Sequence, residues 1–188
     1  MYYPRNFQML PWFAQQMYFM YPQCFWFNPQ MNERYMKYYL DNQQGYTNFN
    51  NQNLKDYGPQ PFVIDIDEAT KRNNTFRTIL WTGDNFQVSL MSIPVGGDIG
   101  LEVHEDGDQF IRIEDGDGMV LMGDSKDNLD FQRRIEDDDA IMIPNGKWHN
   151  IINTGNEPLK LYAIYAPPEH PYGTIHQTKE DAQASERY

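Results

Sequence analysis

Four histidines, one cysteine and an excess of carboxylates bound the chemistry open to this 188-residue chain. The lone cysteine, Cys24, excludes an intrachain disulfide framework and a cysteine zinc cluster. Any metal must therefore be held by His, Asp, Glu or Gln. The histidines are His104, His149, His170 and His176. Glu102 and His104 stand two apart in IGLEVH (99–104), a predicted strand, so both leave the same face. The turn EDGD follows, and Gln109 opens the next predicted strand with Ile111 and Ile113 on its face. A hairpin between these strands would bring Gln109 back beside His104. His149 begins a later strand after the turn PNGKW and shares a face with Ile151 and Asn153. By the same parity, Arg112 and Trp148 point away from the histidine face. His170 and His176 lie in APPEHPYGTIHQTKEDA, which prolines and Gly173 make extended. It reads either as a surface arm with solvated histidines or as a segment closing over the mouth of the domain. Cys24, in an aromatic stretch with no histidine near it, reads as a packed or solvated thiol.

The elements that must position these residues are short. FVIDI (62–66), FRTILWT (76–82), FQVSLMSI (86–93), IGLEVH (99–104), QFIRIE (109–114), MVLMG (119–123), FQRRI (131–135), AIMIP (140–144), HNIIN (149–153) and LKLYAIYA (159–166) are separated by turn signals such as GDN, GGD, DGDG and NTGNE. Strands at such spacing predict an all-β sandwich or barrel. Ile111, Ile113, Met142 and Ile151 are its expected inward residues. After Thr178 the sequence turns helical, with Asp181 three residues on in a capping-box-like position.

Composition divides the chain at about residue 60. Residues 1–60 contain no Val or Ile, hold nine of the 13 tyrosines, and carry a net charge of +1. This Tyr/Asn/Gln/Met-rich text predicts an irregular, self-associating arm, with one short helix over ERYMKYYL (33–40). Residues 61–188 carry the rest of the overall −12, a net of −13, much of it in turns such as Glu136–Asp139. The expected organisation is an arm at 1–60, a β domain at 61–166 and a tail with a short helix at 167–188.

Two motifs resemble those of the cupin superfamily, a double-stranded β-helix or jelly-roll barrel. In the first, Gly116 lies seven after Gln109 and His104 five before it. Gln109 thus stands at the usual glutamate position, His104 at the second histidine and Glu102 at the first. In the second, Pro144, Gly146, His149 and Asn153 match, with Asp138 where a glycine is usual. The resemblance covers about residues 61–166 and implies a metal set of Glu102, His104, Gln109 and His149. Compared with the usual three histidines and one carboxylate, the carboxylate has changed strand and one imidazole has become an amide. The net ligand charge stays at −1, and the set suits Fe, Mn, Ni or Zn as a divalent transition metal.

An acidic chain argues against nucleic acid as a partner. No apolar run is long enough for a membrane span, and the N-terminus does not read as a signal peptide, which implies a cytoplasmic or spore-coat location. The resemblance implies a metal-dependent small-molecule isomerase, in the manner of sugar-phosphate isomerase-like cupins, or a dioxygenase. Only Lys147 is near a ligand to meet a phosphate. The alternatives are a structural protein, since the arm resembles spore-coat segments in composition, and a ligand-binding sensor without turnover. A homo-oligomer is expected, with the arm binding its own barrel, a neighbour or other assembly proteins.

Overall fold

The computed structural model describes residues 53–185; the predicted helix at 33–40 and Cys24 lie outside them. The strands are β1 (Arg77–Thr82), β2 (Gln87–Ile93), β3 (Asp108–Asp115), β4 (Gly118–Gly123), β5 (Phe131–Ile135), β6 (Ala140–Ile143), β7 (Trp148–Asn153), β8 (Leu159–Ala166) and the short β9 (Ile175–His176). A six-stranded sheet runs β6-β3-β8-β2-β1-β9 and a three-stranded sheet β5-β4-β7, every pair antiparallel. From β3 onward the chain passes back and forth between the sheets. The result is the expected all-β double-stranded β-helix.

The core follows from strand parity. Ile111 and Ile113 of β3, Leu161 and Ala163 of β8 and Ile93 of β2 meet Val120 of β4 and Ile151 of β7 between the sheets. Each Ile, Leu or Val among them contributes roughly 1.5–3 kcal/mol by leaving water. Met142 does not belong to this set: it is 65% exposed, while Ile141 and Ile143 face inward. Its cross-strand partner Phe110 stands on the outer parity of β3, which fixes the outward direction.

Two predicted strands are corrected. FVIDI is not a strand; its last residue opens helix α1 (Ile66–Arg72). Asp65 caps that helix by accepting from the Glu68 N–H at 3.1 Å, and Lys71 pairs with Asp67 one turn earlier at 2.6 Å. Capping and charge placement outweigh a five-residue alternation. Ala69 then covers Leu80 and Leu90 on the outer face of the large sheet, with Phe62, Ile64 and Ile66 beside it. IGLEVH forms no ladder. Asp98 turns the chain by accepting from the Gly100 N–H at 2.7 Å, and Gly100 takes φ +103, a conformation that favours glycine. The segment touches β7 through single bridges only, Asp98 to Ile152 and Glu102 to His149.

The C-terminal helix α2 (Lys179–Ser185) carries the expected capping box. Thr178 N–H donates to Asp181 Oδ2 at 3.0 Å, and Asp181 N–H to Thr178 Oγ1 at 3.3 Å. No helix among the described residues is long and apolar enough to cross a membrane.

Candidate metal centre

The bridge between residues 102 and 149 is a reciprocal pair. Glu102 N–H donates to the His149 carbonyl at 3.0 Å and His149 N–H to the Glu102 carbonyl at 2.9 Å. Such a pair sets the two side chains next to each other on one face. His104, two residues after Glu102, joins them. His149 Nε2 lies 3.2 Å from Glu102 Oε1, and His104 Nε2 lies 3.6 Å from that same oxygen. One donor atom from each residue lies within 4.8 Å of the other two.

The motif residues act as local braces. Gly146 adopts φ +72 in the turn 144–147, and its N–H donates to the His104 carbonyl at 2.7 Å. That turn also brings the Lys147 carbonyl to 2.9 Å from His149 Nδ1. With Nδ1 occupied there, Nε2 is the nitrogen left to face Glu102 and any ion beside it. Asn153, buried at the end of β7, donates to the carbonyls of Ile93 and Glu157 and accepts from the Gly155 N–H. Gly116 takes φ +92, a conformation that favours glycine, and a Cβ there would sit tightly at 3.2 Å from Leu159 Cα and the Pro158 carbonyl. Asp138 is the only non-glycine residue with positive φ (72°) among those described, so it holds the backbone shape of the glycine it replaces. Its carboxylate pairs with Arg112, which points out of the barrel as expected.

Gln109 is placed differently from the hairpin expectation. Its strand pairs with β6 and β8, not with the 99–104 segment. Gln109 faces Tyr165 across β8, is 3% exposed, and has a buried Oε1 without a hydrogen-bond partner. The ring of that neighbour, Tyr165, meets His104 edge-on at 5.4 Å between centroids. The structure thus gathers Glu102, His104 and His149 and places Gln109 on β3 as the cross-strand neighbour of Tyr165.

The charges are mutually adjusted. Burial works to raise the Glu102 carboxyl, but the adjoining imidazoles of His104 and His149 and the charge of Arg77 hold it well below the usual carboxylate range. Burial works to lower His104, yet Glu102 first and Glu169 next push it up on balance. Burial raises the Tyr165 hydroxyl, against Arg77 and a hydrogen bond from Gln109. His170 is pushed down to about 3 by burial, with Arg77 and His104 adding to it.

These residues fit a divalent ion. Two ligand atoms at about 2.1 Å from a tetrahedral metal sit about 3.4 Å apart, and the observed 3.2 and 3.6 Å bracket that value. His104 Nε2, the nitrogen that faces Glu102, is buried without a hydrogen bond, a situation that a cation would satisfy. The three side chains meet solvent unequally. His149 has no exposed side-chain surface, while His104 keeps 11% and Glu102 22%. Glu102 and His104 line a pocket of about 470 Å³ together with Leu101, Val103, Trp148, Glu169, His170 and His176.

Arg77, Tyr165 and Glu169 were not visible as site residues from sequence, and Trp148 lines the pocket despite its parity. A charge inside the apolar run of β1 was the one available signal for Arg77. The tail residues take the closing role rather than that of a solvated arm.

The cupin domain family matches residues 89–165, a span containing all four expected ligands. The uncharacterized protein YrkC of Bacillus subtilis (strain 168) is 67% identical over 133 residues, covering 71% of this chain and 72% of its own length. The uncharacterized protein L612 of Acanthamoeba polyphaga mimivirus is 41% identical over 117 residues, covering 62% of this chain and 71% of its own. The crystal structure of BH2720 from Bacillus halodurans is similar at 62% identity and a TM-score of 0.69, over 69% of this chain and 98% of that one.

Proposed function

Because this chain belongs to the cupin superfamily, we propose that Glu102, His104 and His149 hold one divalent transition-metal ion. We propose further that the protein is a metal-dependent enzyme acting on a small uncharged molecule in the adjoining pocket. The observation that carries this reading is the approach of two imidazole Nε2 atoms to a single carboxylate oxygen, at 3.2 and 3.6 Å. A set of two histidines and one carboxylate, with its open side toward a pocket, suits Fe(II) oxygenase chemistry, in which the ion activates dioxygen beside the substrate. Gln109, whose buried Oε1 has no hydrogen-bond partner, is the weak fourth candidate, since an amide oxygen is a poorer ligand than the other three.

The chain's own residues supply the rest. The Lys147 carbonyl holds the His149 ring against rotation. Leu101, Val103 and Trp148 offer an apolar wall that sheds water from a bound molecule. None of the pocket-lining residues is Lys or Arg. Lys147 is paired with Asp124 at the surface. A sugar phosphate would therefore meet acidic and neutral groups, which favours the oxygenase reading over a sugar-phosphate isomerase.

The test is elemental analysis of protein purified without added metal, beside His104→Ala and His149→Ala variants. About one ion per chain, lost in both variants, is expected. Oxygen uptake by the Fe(II)-loaded protein is then followed across a panel of small neutral substrates. No metal in the parent protein under any loading condition would overturn the reading.

A further inference from the structure

We infer that Glu169, on the segment after β8, is the positioning residue for His104, so that the metal site depends on how the C-terminal tail is held. This inference rests on the metal reading above and deepens it.

The two histidines are arranged in parallel. Each turns Nε2 toward Glu102 Oε1, and each turns Nδ1 toward an acceptor. For His149 the acceptor is the Lys147 carbonyl at 2.9 Å, supplied by the barrel's own turn. For His104 it is Glu169 Oε1 at 3.4 Å, about half an ångström longer than an ordinary N–H···O bond. Nδ1 of His104 is buried and has no formed hydrogen bond, the Glu169 contact being long and imperfectly aligned, so Glu169 is the acceptor placed to complete one. With Nδ1 protonated toward Glu169, Nε2 presents a lone pair to the metal position. A carboxylate behind a metal-bound imidazole also raises its basicity.

Glu169 cannot hold this place alone, since its side chain is 45% exposed. The tail around it is clamped from the barrel. Gln87, fully buried on β2, donates through Nε2 to the His170 carbonyl at 2.8 Å and accepts from the His170 N–H at 3.0 Å. Asp56 accepts from the Gly173 N–H at 3.1 Å, and its carbonyl accepts from the Tyr172 hydroxyl at 3.2 Å. The residue next to Glu169 is therefore fixed through both of its backbone polar groups.

The experiment uses the full chain, with Glu169→Ala and Glu169→Gln variants. Zn(II) affinity is measured by competition with a chromophoric chelator. The ring nitrogens of His104 and His149 are followed by long-range proton–nitrogen NMR, in Zn(II)-loaded protein and in stripped protein at alkaline pH. Glu169→Ala should weaken Zn(II) binding 10–100-fold, and Glu169→Gln less, because the amide oxygen still accepts. In stripped Glu169→Ala the His104 ring should lose its Nδ1–H preference while His149 keeps its own. A general loosening of the tail would not produce that selective change. Unchanged affinity with unchanged His104 ring shifts would overturn the inference and leave the metal reading standing. Absence of Zn(II) binding in the parent protein would overturn the metal reading, and the stripped-protein shifts would still decide the role of Glu169.

Discussion

His149 and His104 face the same carboxylate oxygen from two differently built walls. The His149 wall is part of the barrel: a ladder strand, a glycine turn and a backbone carbonyl, all within five residues of the ring. The His104 wall is assembled from pieces with no regular structure, a bridged segment on one side and the tail on the other. The first is as stable as the fold. The second is only as stable as a few side-chain-to-backbone hydrogen bonds, so it is the adjustable half of the site.

Removing each ring tests that contrast most strongly. His149→Ala should abolish metal binding and also cost about 2–4 kcal/mol of stability, because it leaves a cavity at a fully buried position and a backbone carbonyl without its donor. His104→Ala should abolish metal binding equally but cost about 1 kcal/mol or less in stripped protein. Urea denaturation of the stripped variants measures both. Equal stability losses would show that the two walls are not different in kind.

A smaller and more local effect is expected from Gln87→Ala. It leaves the His170 N–H and carbonyl without partners and should cost about 1–3 kcal/mol. Hydrogen exchange should quicken across residues 168–176 and stay unchanged in β4 and β7. Uniform acceleration through both sheets would mean that the tail and the barrel open as one unit.

The same contrast explains what could be read in the sequence. The His149 wall was legible because its signals are local. Strand alternation, the glycine of PNGKW and the asparagine four residues after His149 all lie within one short stretch, and each has one physical job. The C-terminal helix was legible for the same reason, from Thr178 and Asp181. On the His104 wall the resemblance pointed to Glu102 and His104 themselves, but what holds them was not legible. Glu102 finds its partner on β7, 47 residues later, and Gln87 finds His170 83 residues later. No periodicity marks such pairings, because the segments they fix are neither helix nor strand. FVIDI failed in the opposite way: its alternation was real, but Asp65 capped a helix at its end. Met142 shows that a four-residue strand leaves parity open until its partner strand is known.

The smallest effect concerns how α2 holds the start of the adjustable wall. Lys179 on α2 reaches Asp98 at 2.7 Å, and Asp98 also accepts from the Gly100 N–H just before Glu102. Burial works to raise the Asp98 carboxyl, but Lys179 and the Gly100 N–H outweigh it and bring it below its ordinary value. A carboxyl lowered by folding stabilises the protein above its unfolded pKa of about 3.9, and that contribution is lost as pH falls through the folded value. Both side chains are about a third exposed, so screening keeps the pair to a few tenths of a kcal/mol, at most about 1. Lys179→Met should therefore destabilise the protein by that amount at pH 7 and by progressively less as Asp98 becomes protonated in acid. Chemical denaturation of parent and variant at both pH values measures the difference. A penalty that persists undiminished in acid would mean that Lys179 holds α2 through its aliphatic stem, leaving the charge of Asp98 without a part in fixing the wall around Glu102.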